Sequence, residues 1–150
     1  MKAIAQRVTK AAVRIEGNEH SAIGAGALVF LGVHKEDTEE DIEWITRKLA
    51  NMRIFEDERG LMNSDLQTIA GDLLVISQFT LIASVRKGNR PSFNDAAPPE
   101  KGKAYYEAVV AKLGNVLKQP VKTGVFAANM KVSLINDGPV TLVFDSRNRE

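Results

Sequence analysis

Two long apolar segments constrain most strongly what this chain can fold into. Residues 24–33 (GAGALVFLGV) form an almost continuous apolar run, which is typical of a strand buried on both faces of a sheet. Residues 73–83 (LLVISQFTLIA) give the strongest β-strand signal in the sequence. The glycines of the first run do not form a phosphate loop, because neither the dinucleotide nor the Walker spacing is present. We therefore expect a sheet whose faces are covered by other elements.

Two segments have the apolar periodicity of amphipathic helices. The first opens at residues 37–40, where we predict Asp37 as the N-cap and Glu40 as its capping-box partner. The second begins near residues 98–100, where prolines precede a glutamate. The residues at helical spacing are Ile42, Ile45 and Leu49 in the first helix and Tyr105, Val109, Leu113 and Val116 in the second.

Turn signals divide the rest of the chain into shorter predicted strands. These strands are residues 2–16, 20–24 (HSAIG), 53–60 (RIFEDERG, ending in a turn), 121–126 (VKTGVF), 129–135 (NMKVSLI) and 140–144 (VTLVF). Residues 136–139 (NDGP) are predicted to be a hairpin turn between the last two strands. The order β-β-β-α-β-β-α-β-β-β predicts an α+β fold with mixed β-sheets, two helices packed on them, and a single domain over residues 1–150.

Charge and composition narrow the range of partners. Lys and Arg number 20 against 19 Asp and Glu, a net charge of +1, whereas proteins that coat duplex nucleic acid usually carry a larger excess. We therefore expect no DNA partner, although the bases clustered after residue 85 permit contact with the end of an RNA. The chain has no cysteine, no apolar run near the ~20 residues that span a bilayer, and a start that turns polar too early for a secretory signal. We expect a cytoplasmic protein without membrane contact.

Side chains that commonly bind metals or perform catalysis are scarce in this sequence. His20 and His34 each lie near a predicted turn, and neither has an acidic or histidine neighbour at a metal-ligand spacing. No HExxH motif is present, so we expect neither a metal ion nor a cofactor. Ser77 is outside any GxSxG motif and has no evident histidine to activate it.

Polar residues interrupt the second apolar run. Ser77, Gln78 and Thr80 fall within what is otherwise a buried strand, in which Ser77 and Phe79 would face one side and Gln78 and Thr80 the other. Burying such groups without partners costs roughly 1–3 kcal/mol each. Either internal hydrogen bonds satisfy them, or a bulge directs them and their N–H groups into a ligand pocket. The residues alone leave both alternatives open.

The dipeptide Gly138-Pro139 raises a similar question. Proline has no N–H to donate to a sheet, yet this proline directly precedes the predicted strand at residues 140–144. One reading is that a turn required it. The other is that the geometry of this peptide is itself functional.

Four motifs taken together resemble the D-aminoacyl-tRNA deacylase (D-tyrosyl-tRNA deacylase) family. They are QRV (residues 6–8), SQFTL (77–81), KGNRPSF (87–93) and NDGPVT (136–141), so the resemblance extends from the first strand to the end of the chain. One departure is visible in the segment that usually reads FGAxM, because Ala127 stands where the family pattern has glycine.

The resemblance implies a homodimer that hydrolyses the ester joining a D-amino acid to the terminal adenosine of tRNA. It further implies that Gly138-Pro139 is a cis peptide, which each subunit inserts into the pocket of its partner. The carbonyls of Gly138 and Pro139 would receive the ammonium group of the substrate and leave no room for a side chain on the L face. Glycine esters have no side chain to exclude, so mischarged glycyl-tRNA is expected to be a substrate as well.

The resemblance places the catalytic site at Ser77, Gln78, Phe79 and Thr80. A Thr80 nucleophile would need a base, and the motif offers none. The resemblance favours attack by water, assisted by the ribose 2′-hydroxyl, with main-chain N–H groups of residues 78–80 stabilising the oxyanion.

The family pattern and the charge pattern assign roles to the remaining candidate residues. In the family pattern Arg7 braces the Gly-Pro loop, and Phe126 and Met130 belong to the adenosine pocket. From the charge pattern we add Arg86, Lys87 and Arg90 as expected phosphate contacts. The alternative function is a non-catalytic dimer that binds the end of tRNA.

Overall fold

The computed structural model describes residues 1–149. The elements in chain order are β1 (Lys2–Ile15), β2 (Asn18–Ile23), β3 (Gly26–Gly32), α1 (Glu39–Ala50), β4 (Phe55–Glu56), β5 (Met62–Ser64), β6 (Asp72–Ser77), a 3₁₀ turn (Phe79–Ile82), α2 (Pro99–Leu117), β7 (Lys122–Thr123) and β8 (Lys131–Asp145). The predicted α+β fold is confirmed. Over the described range, neither helix is long and apolar enough to cross a bilayer.

β1 is the strand on which the main sheet is built. The first half of β1 pairs antiparallel with β3 and its second half with β2, while β8 pairs antiparallel with its other edge. On the far side of β3 the strands are parallel, because β3 pairs with β6 and β6 with β7 in that sense. β4 and β5 form a separate two-stranded sheet. Both parallel and antiparallel neighbours therefore occur in one sheet, as predicted.

Alternate residues of β3 and β6 supply two hydrophobic clusters, one on each face of the sheet. Leu31 and Val75 belong to the first cluster, and Leu28 and Leu74 belong to the second. Both helices cover the first face, and their buried side chains there include Ile42, Ile45, Leu49, Val109 and Leu113. Side chains from β1, β2 and β8 complete the second cluster. The prediction that residues 24–33 contain a strand buried on both faces is confirmed over β3, and the core of β6 is buried in the same way.

The end of the chain differs from the prediction. Residues 131–135 and 140–144 are not two strands of a hairpin but successive parts of β8, and both pair with β1. The hairpin predicted at residues 136–139 is therefore wrong. Turn-forming residues indicate only the local backbone conformation. That conformation occurs in a bulge within one strand as well as in a turn between two strands, so the sequence did not distinguish them.

α1 begins one residue later than predicted. Thr38 is the N-cap, and its N–H and hydroxyl groups donate to the Asp41 carboxylate over 2.8 and 3.2 Å. The predicted pair of Asp37 and Glu40 is wrong, because the buried Asp37 carboxylate instead accepts a hydrogen bond from the Met1 ammonium group at 2.7 Å. That contact is distant in sequence, so local capping rules do not reveal it.

α2 presents a slightly rotated apolar stripe. Tyr106 and Leu117 are buried in place of the predicted Tyr105 and Val116, and Val116 is 45% exposed. The Tyr106 hydroxyl donates to the Val75 carbonyl of β6 at 2.8 Å, so this residue fixes the helix to the parallel part of the sheet. Burial raises the pKa of Tyr106 to about 12, which keeps the hydroxyl a donor across the physiological range.

A buried charge cluster ties the beginning of β1 and the end of β8 to α1. The Met1 ammonium group donates to Asp37 at 2.7 Å and to the Ser146 hydroxyl at 2.6 Å, and that hydroxyl donates to Asp41 at 2.6 Å. Burial raises the pKa of Asp41, but the hydrogen bonds from Ser146 and Thr38 and the nearby ammonium charge outweigh it. The pKa of Asp41 is therefore lower than usual.

We predict that Ser146→Ala destabilises the protein in a pH-dependent manner. Loss of a hydrogen bond to a buried carboxylate should lower the free energy of unfolding by about 2 kcal/mol at pH 7. A carboxyl with a lowered folded pKa contributes stability above its unfolded pKa of about 3.9 and loses it as the pH falls further. Urea unfolding at pH 7 and pH 3 should therefore show a smaller loss at pH 3. Ser92→Ala, at an exposed position in the segment before α2, is the control. Equal losses at both pH values would contradict this role of Asp41.

Candidate active site

A cavity of about 600 Å³ opens at the carboxyl end of β6. Three parts of the chain line it: the end of β6 with the turn that follows, the segment before α2, and the segment that leads into β8. The lining residues are Ile76, Ser77, Gln78, Phe79, Phe93, Ala96, Ala97, Pro99, Phe126, Ala127, Ala128, Asn129, Met130 and Val132. The carboxyl ends of parallel strands are a usual location for ligand sites in sheets of this kind.

The cavity begins where the parallel ladder of β3 and β6 ends. The Gln78 N–H donates to the Leu31 carbonyl at 2.8 Å, and the chain then turns into the 3₁₀ segment Phe79–Ile82. Within residues 1–149, the N–H groups of Phe79 and Thr80 have no hydrogen-bond acceptor. The strand predicted over residues 73–83 is therefore wrong beyond Ser77. Of the three N–H groups expected to stabilise an oxyanion, that of Gln78 is already bonded to the Leu31 carbonyl.

Gly32 at the end of β3 makes room for this turn. A Cβ atom at position 32 would lie 2.9 Å from the Gln78 carbonyl oxygen and 3.1 Å from the Leu81 Cβ. The turn after β6 thus packs directly on the backbone of β3, which holds residues 78–81 in place.

The polar residues of the SQFTL motif have different surroundings. The Gln78 side-chain amide donates to the Thr80 hydroxyl, so these two side chains satisfy each other locally. Thr80 is exposed, and no acidic or basic side chain among residues 1–149 contacts its hydroxyl. The side chains of Gln78 and Thr80 therefore pair internally, as the first alternative predicted, and the turn that carries them borders the cavity.

Residues 126–130 form the opposite wall. The N–H of Ala128 donates to the carbonyl of Val125 at 3.2 Å, and Ala127 within this turn has a left-handed backbone with φ of 63°. Glycine adopts that conformation readily, which explains why the family pattern has glycine where this chain has alanine. Phe126 packs against Tyr106 with 6.3 Å between ring centroids, so the wall is anchored to α2.

An ordered arm, residues 84–97, completes the cavity. Ser84 and Ser92 exchange two backbone hydrogen bonds of 2.9 Å, and the N–H of Ala97 donates to the Val33 carbonyl at 2.9 Å. Phe93 of the arm packs edge-on against Phe79 with centroids 5.1 Å apart. The exposed tip of the arm carries the three predicted phosphate contacts, Arg86, Lys87 and Arg90.

The NDGPVT motif forms a bulge in β8. Because Asn136 pairs with Val8 and Thr141 with Gln6, residues 137–140 of β8 lie opposite a single residue of β1. The Asn136 amide closes the base of the bulge by donating to two backbone carbonyls over 2.9 Å each. The bulge therefore projects from the sheet as a closed loop.

Arg7 is the β1 residue opposite this bulge. Its guanidinium donates to the Asp137 carbonyl at 3.2 Å and to the Ile54 carbonyl at 2.7 Å, and it lies 3.3 Å from the Asp137 carboxylate. The Gly138-Pro139 peptide is cis, as the resemblance implied, and both residues are exposed. Gly138 has φ of 118°, which disfavours any residue with a side chain.

The predicted site residues fall into separate groups in this chain. Ser77, Gln78, Phe79, Phe126 and Met130 line the cavity, with Thr80 beside them in the same turn. The second group, Arg7, Gly138 and Pro139, lies at the bulge and does not line that cavity. Among residues 1–149, no group of acidic, histidine or cysteine side chains is arranged to hold a metal ion.

Sequence reasoning missed several residues that build these surfaces. Phe93 and Asn136 lie inside the quoted motifs KGNRPSF and NDGPVT, so the motifs held the signal although no role was assigned to either residue. Ala96 and Ala97 carry no sequence signal of their own, and only the antiparallel contact of the arm with β3 and the residues after it brings them to the cavity.

Comparison with known proteins places these features in one family. The family model described as D-Tyr-tRNA(Tyr) deacylase matches residues 4–145. Relatives named D-aminoacyl-tRNA deacylase from Cytophaga hutchinsonii and Opitutus terrae are 53% and 52% identical over 150 residues, with 100% of each chain covered.

Two solved structures share the fold. One is described as "c-Myc DNA Unwinding Element Binding Protein" and has 41% identity, a TM-score of 0.92, and coverage of 97% of this chain and 98% of that one. The other is described as "Structural Analysis of a probable eukaryotic D-amino acid tRNA deacylase", with 16% identity, a TM-score of 0.82, and coverage of 95% and 97%. At 16% identity the second likeness shows the fold alone.

Fold, cavity and similarity together define an α+β hydrolase with its cavity at the end of a parallel strand. The chain belongs to the D-Tyr-tRNA(Tyr) deacylase family, which its sequence motifs predicted.

Proposed function

We propose that this chain hydrolyses the ester between a D-amino acid and the terminal adenosine of tRNA, and likewise releases glycine from mischarged tRNA. The observation that carries the proposal is the turn after β6, which borders the cavity through Gln78 and Phe79 and in which the N–H groups of Phe79 and Thr80 have no acceptor among residues 1–149. The relatives that share about half of this sequence bear the name of that activity.

In the proposed reaction, a water molecule supplies the nucleophile. Its oxygen attacks the ester carbonyl carbon, and the carbonyl oxygen becomes an oxyanion within reach of the Phe79 and Thr80 N–H groups. Each well-placed donor of this kind is worth roughly 3–4 kcal/mol in the transition state. The acyl–oxygen bond then breaks, the ribose 3′-oxygen takes a proton, and the neighbouring 2′-hydroxyl assists the transfer. Thr80 lies beside the cavity in the same turn and does not attack, because its hydroxyl has no base.

In the same proposal, the bulge in β8 acts as the chiral filter of the partner subunit. The Gly138 and Pro139 carbonyls would receive the substrate ammonium group and occupy the space that an L side chain needs. Arg7 supports this role because its guanidinium bonds to Asp137 and so holds the bulge. The Arg7 side chain is only 11% exposed, so it is well enclosed where it makes this contact.

A homodimer is the assembly that this filter requires. β8 pairs with β1 along one edge and has no other strand partner among residues 1–149. Its large apolar side chains Val143 and Ile135 are 71% and 49% exposed. A second copy docking against β8 would bury them and bring the bulge to the facing cavity.

The arm beside the cavity is the proposed contact with the tRNA backbone. Its tip, residues 85–91, is exposed, carries Arg86, Lys87 and Arg90, and contains no acidic residue. Since the arm also contributes Phe93 to the cavity, phosphates near the bound 3′ end would pass close to these charges. We place the reaction in the cytoplasm, where aminoacyl-tRNA is used, and propose no cofactor.

The purified protein should hydrolyse D-aminoacyl-tRNA and glycyl-tRNA and leave L-aminoacyl-tRNA intact. The measurement is release of radiolabelled amino acid from matched D- and L-charged tRNA. Binding of tRNA without hydrolysis would indicate the alternative, a non-catalytic dimer for the tRNA end. Tight binding to duplex DNA that excludes tRNA would contradict the proposal altogether.

Gly138→Ala extends this experiment to the filter. A Cβ atom there would lie 2.8 Å from Arg7 Nη2 and 2.9 Å from Val140 Cγ2, so the Arg7 guanidinium that holds the bulge or the bulge itself must shift, and φ of 118° adds backbone strain. We expect kcat/KM for D-aminoacyl-tRNA to fall at least about tenfold, equivalent to about 1.4 kcal/mol. Gly17→Ala is the matched control, because Gly17 also has a positive φ but nothing within 4 Å of its Cβ position. Equal effects of the two variants would argue against a role for the bulge.

Thr80→Ala tests the proposed nucleophile. Because water and the ribose 2′-hydroxyl do the chemistry in this proposal, the variant should keep kcat within about tenfold of the parent, a barrier change below about 1.4 kcal/mol. Substrate ending in 2′-deoxyadenosine should be hydrolysed far more slowly by both proteins. Capture of a covalent aminoacyl-threonine by rapid acid quench and mass spectrometry would refute the water mechanism.

Arg86→Ala combined with Lys87→Ala tests the arm. Each lost phosphate contact should make the slope of log affinity against log salt concentration shallower by about 0.7 to 0.9. Loss of both contacts should therefore reduce the magnitude of the slope by about 1.5. Arg59→Ala with Lys122→Ala removes the same charge from two exposed positions outside the arm and outside β8, and should leave the slope unchanged. An unaltered slope in the arm variant would remove these residues from the interface.

A further inference from the structure

The wall formed by residues 126–130 contains one polar side chain, that of Asn129. Among residues 1–149, the side chains lining the cavity are apolar except for those of Ser77, Gln78 and Asn129. Ser77 and Gln78 belong to the end of β6 and the turn that follows it, and the Gln78 amide is already bonded to Thr80. Asn129 therefore belongs to a different wall of the cavity from Ser77 and Gln78.

The Asn129 carboxamide is free to bind a ligand. Within residues 1–149 it makes no hydrogen bond, and its side chain is exposed at the cavity. Its backbone is nevertheless held on both sides. The turn closed by the Ala128 N–H precedes it, and Lys131, paired with Arg14 in the sheet, follows shortly after.

The surroundings of Asn129 suit a purine. Phe93 and Phe126 offer aromatic surface for the face of a base, whereas the apolar walls offer nothing to its polar edge. Adenine presents an N6 amino donor beside an N7 acceptor, and a carboxamide supplies the complementary acceptor and donor in one plane.

We propose that Asn129 is a specificity-determining residue, whose carboxamide accepts from N6 and donates to N7 of the terminal adenine. This inference rests on the proposed function, because it assigns the base of the tRNA 3′ end to this cavity. It adds a side chain that selects the base, whereas the site described above acts on the ester. A bidentate contact of this kind discriminates between bases by about tenfold or more.

The experiment pairs protein variants with altered 3′ ends. Short acceptor-stem RNAs charged with one D-amino acid end in adenosine, in purine riboside, which lacks the N6 amine, or in 7-deazaadenosine, which lacks the N7 acceptor. The parent protein should prefer adenosine over each analogue by about tenfold in kcat/KM. Asn129→Ala should lose about tenfold on adenosine and little on the analogues, so the preference disappears.

Asn129→Asp gives a sharper result. Its carboxylate still accepts from N6 but repels the N7 lone pair, so this variant should favour 7-deazaadenosine over adenosine, which reverses the preference of the parent. Asn94→Ala is the matched control, because Asn94 is an exposed asparagine in the arm that does not line the cavity. It should behave like the parent on all three ends.

Equilibrium binding of the same RNAs without amino acid is measured in parallel. Failure of the parent to release any amino acid would overturn the proposed function, while the binding preference still tests Asn129. If Asn129→Ala weakens adenosine and both analogues equally, or weakens none of them, the assignment of Asn129 to the adenine edge is wrong.

Discussion

The hydrogen bond from the Gln78 N–H to the Leu31 carbonyl is the contact on which the site depends. It is the last bond of the parallel ladder, and it fixes where β6 stops. The chain then turns, so the next two N–H groups lose the partners that a longer strand would give them. The buried sheet therefore ends, and the cavity begins, at the peptide that carries the Gln78 N–H. Donors held this way need no rearrangement when a charged ligand arrives, which is the physical basis of preorganised catalysis.

The two surfaces to which we assign the proposed function are built on different principles. The cavity lies at the end of the parallel part of the sheet, where most residues of β3 and β6 are buried and the Tyr106 hydroxyl of α2 is bonded to the Val75 carbonyl. The bulge in β8 lies on an edge strand, and its position depends on polar contacts from Arg7 and Asn136. Apolar packing thus shapes the surface that must hold a ligand, and directional hydrogen bonds hold the loop that projects away from the chain.

Much of this arrangement was predictable from the sequence. The apolar runs at residues 24–33 and 73–83 identify the buried strands, and the motifs identify the family. Pairing partners were not predictable, because local periodicity cannot show that β1 contacts both halves of β8. The helix cap was misplaced for the same reason, since the distant Met1 ammonium engages Asp37. Asn129 shows another limit of sequence reasoning, because the sequence does not show that this loop residue lines a cavity.

The pairing of β8 has a consequence for how this family can diverge. Each half of β8 is fixed independently by its own residues of β1, so the four-residue excursion at 137–140 sets neither register. Side chains on either side keep their inward or outward orientation whatever the excursion contains. Insertions and deletions there leave the sheet intact, whereas a single inserted residue elsewhere in β8 would invert a whole row of side chains. The bulge can therefore change in length as well as in sequence while the core stays the same.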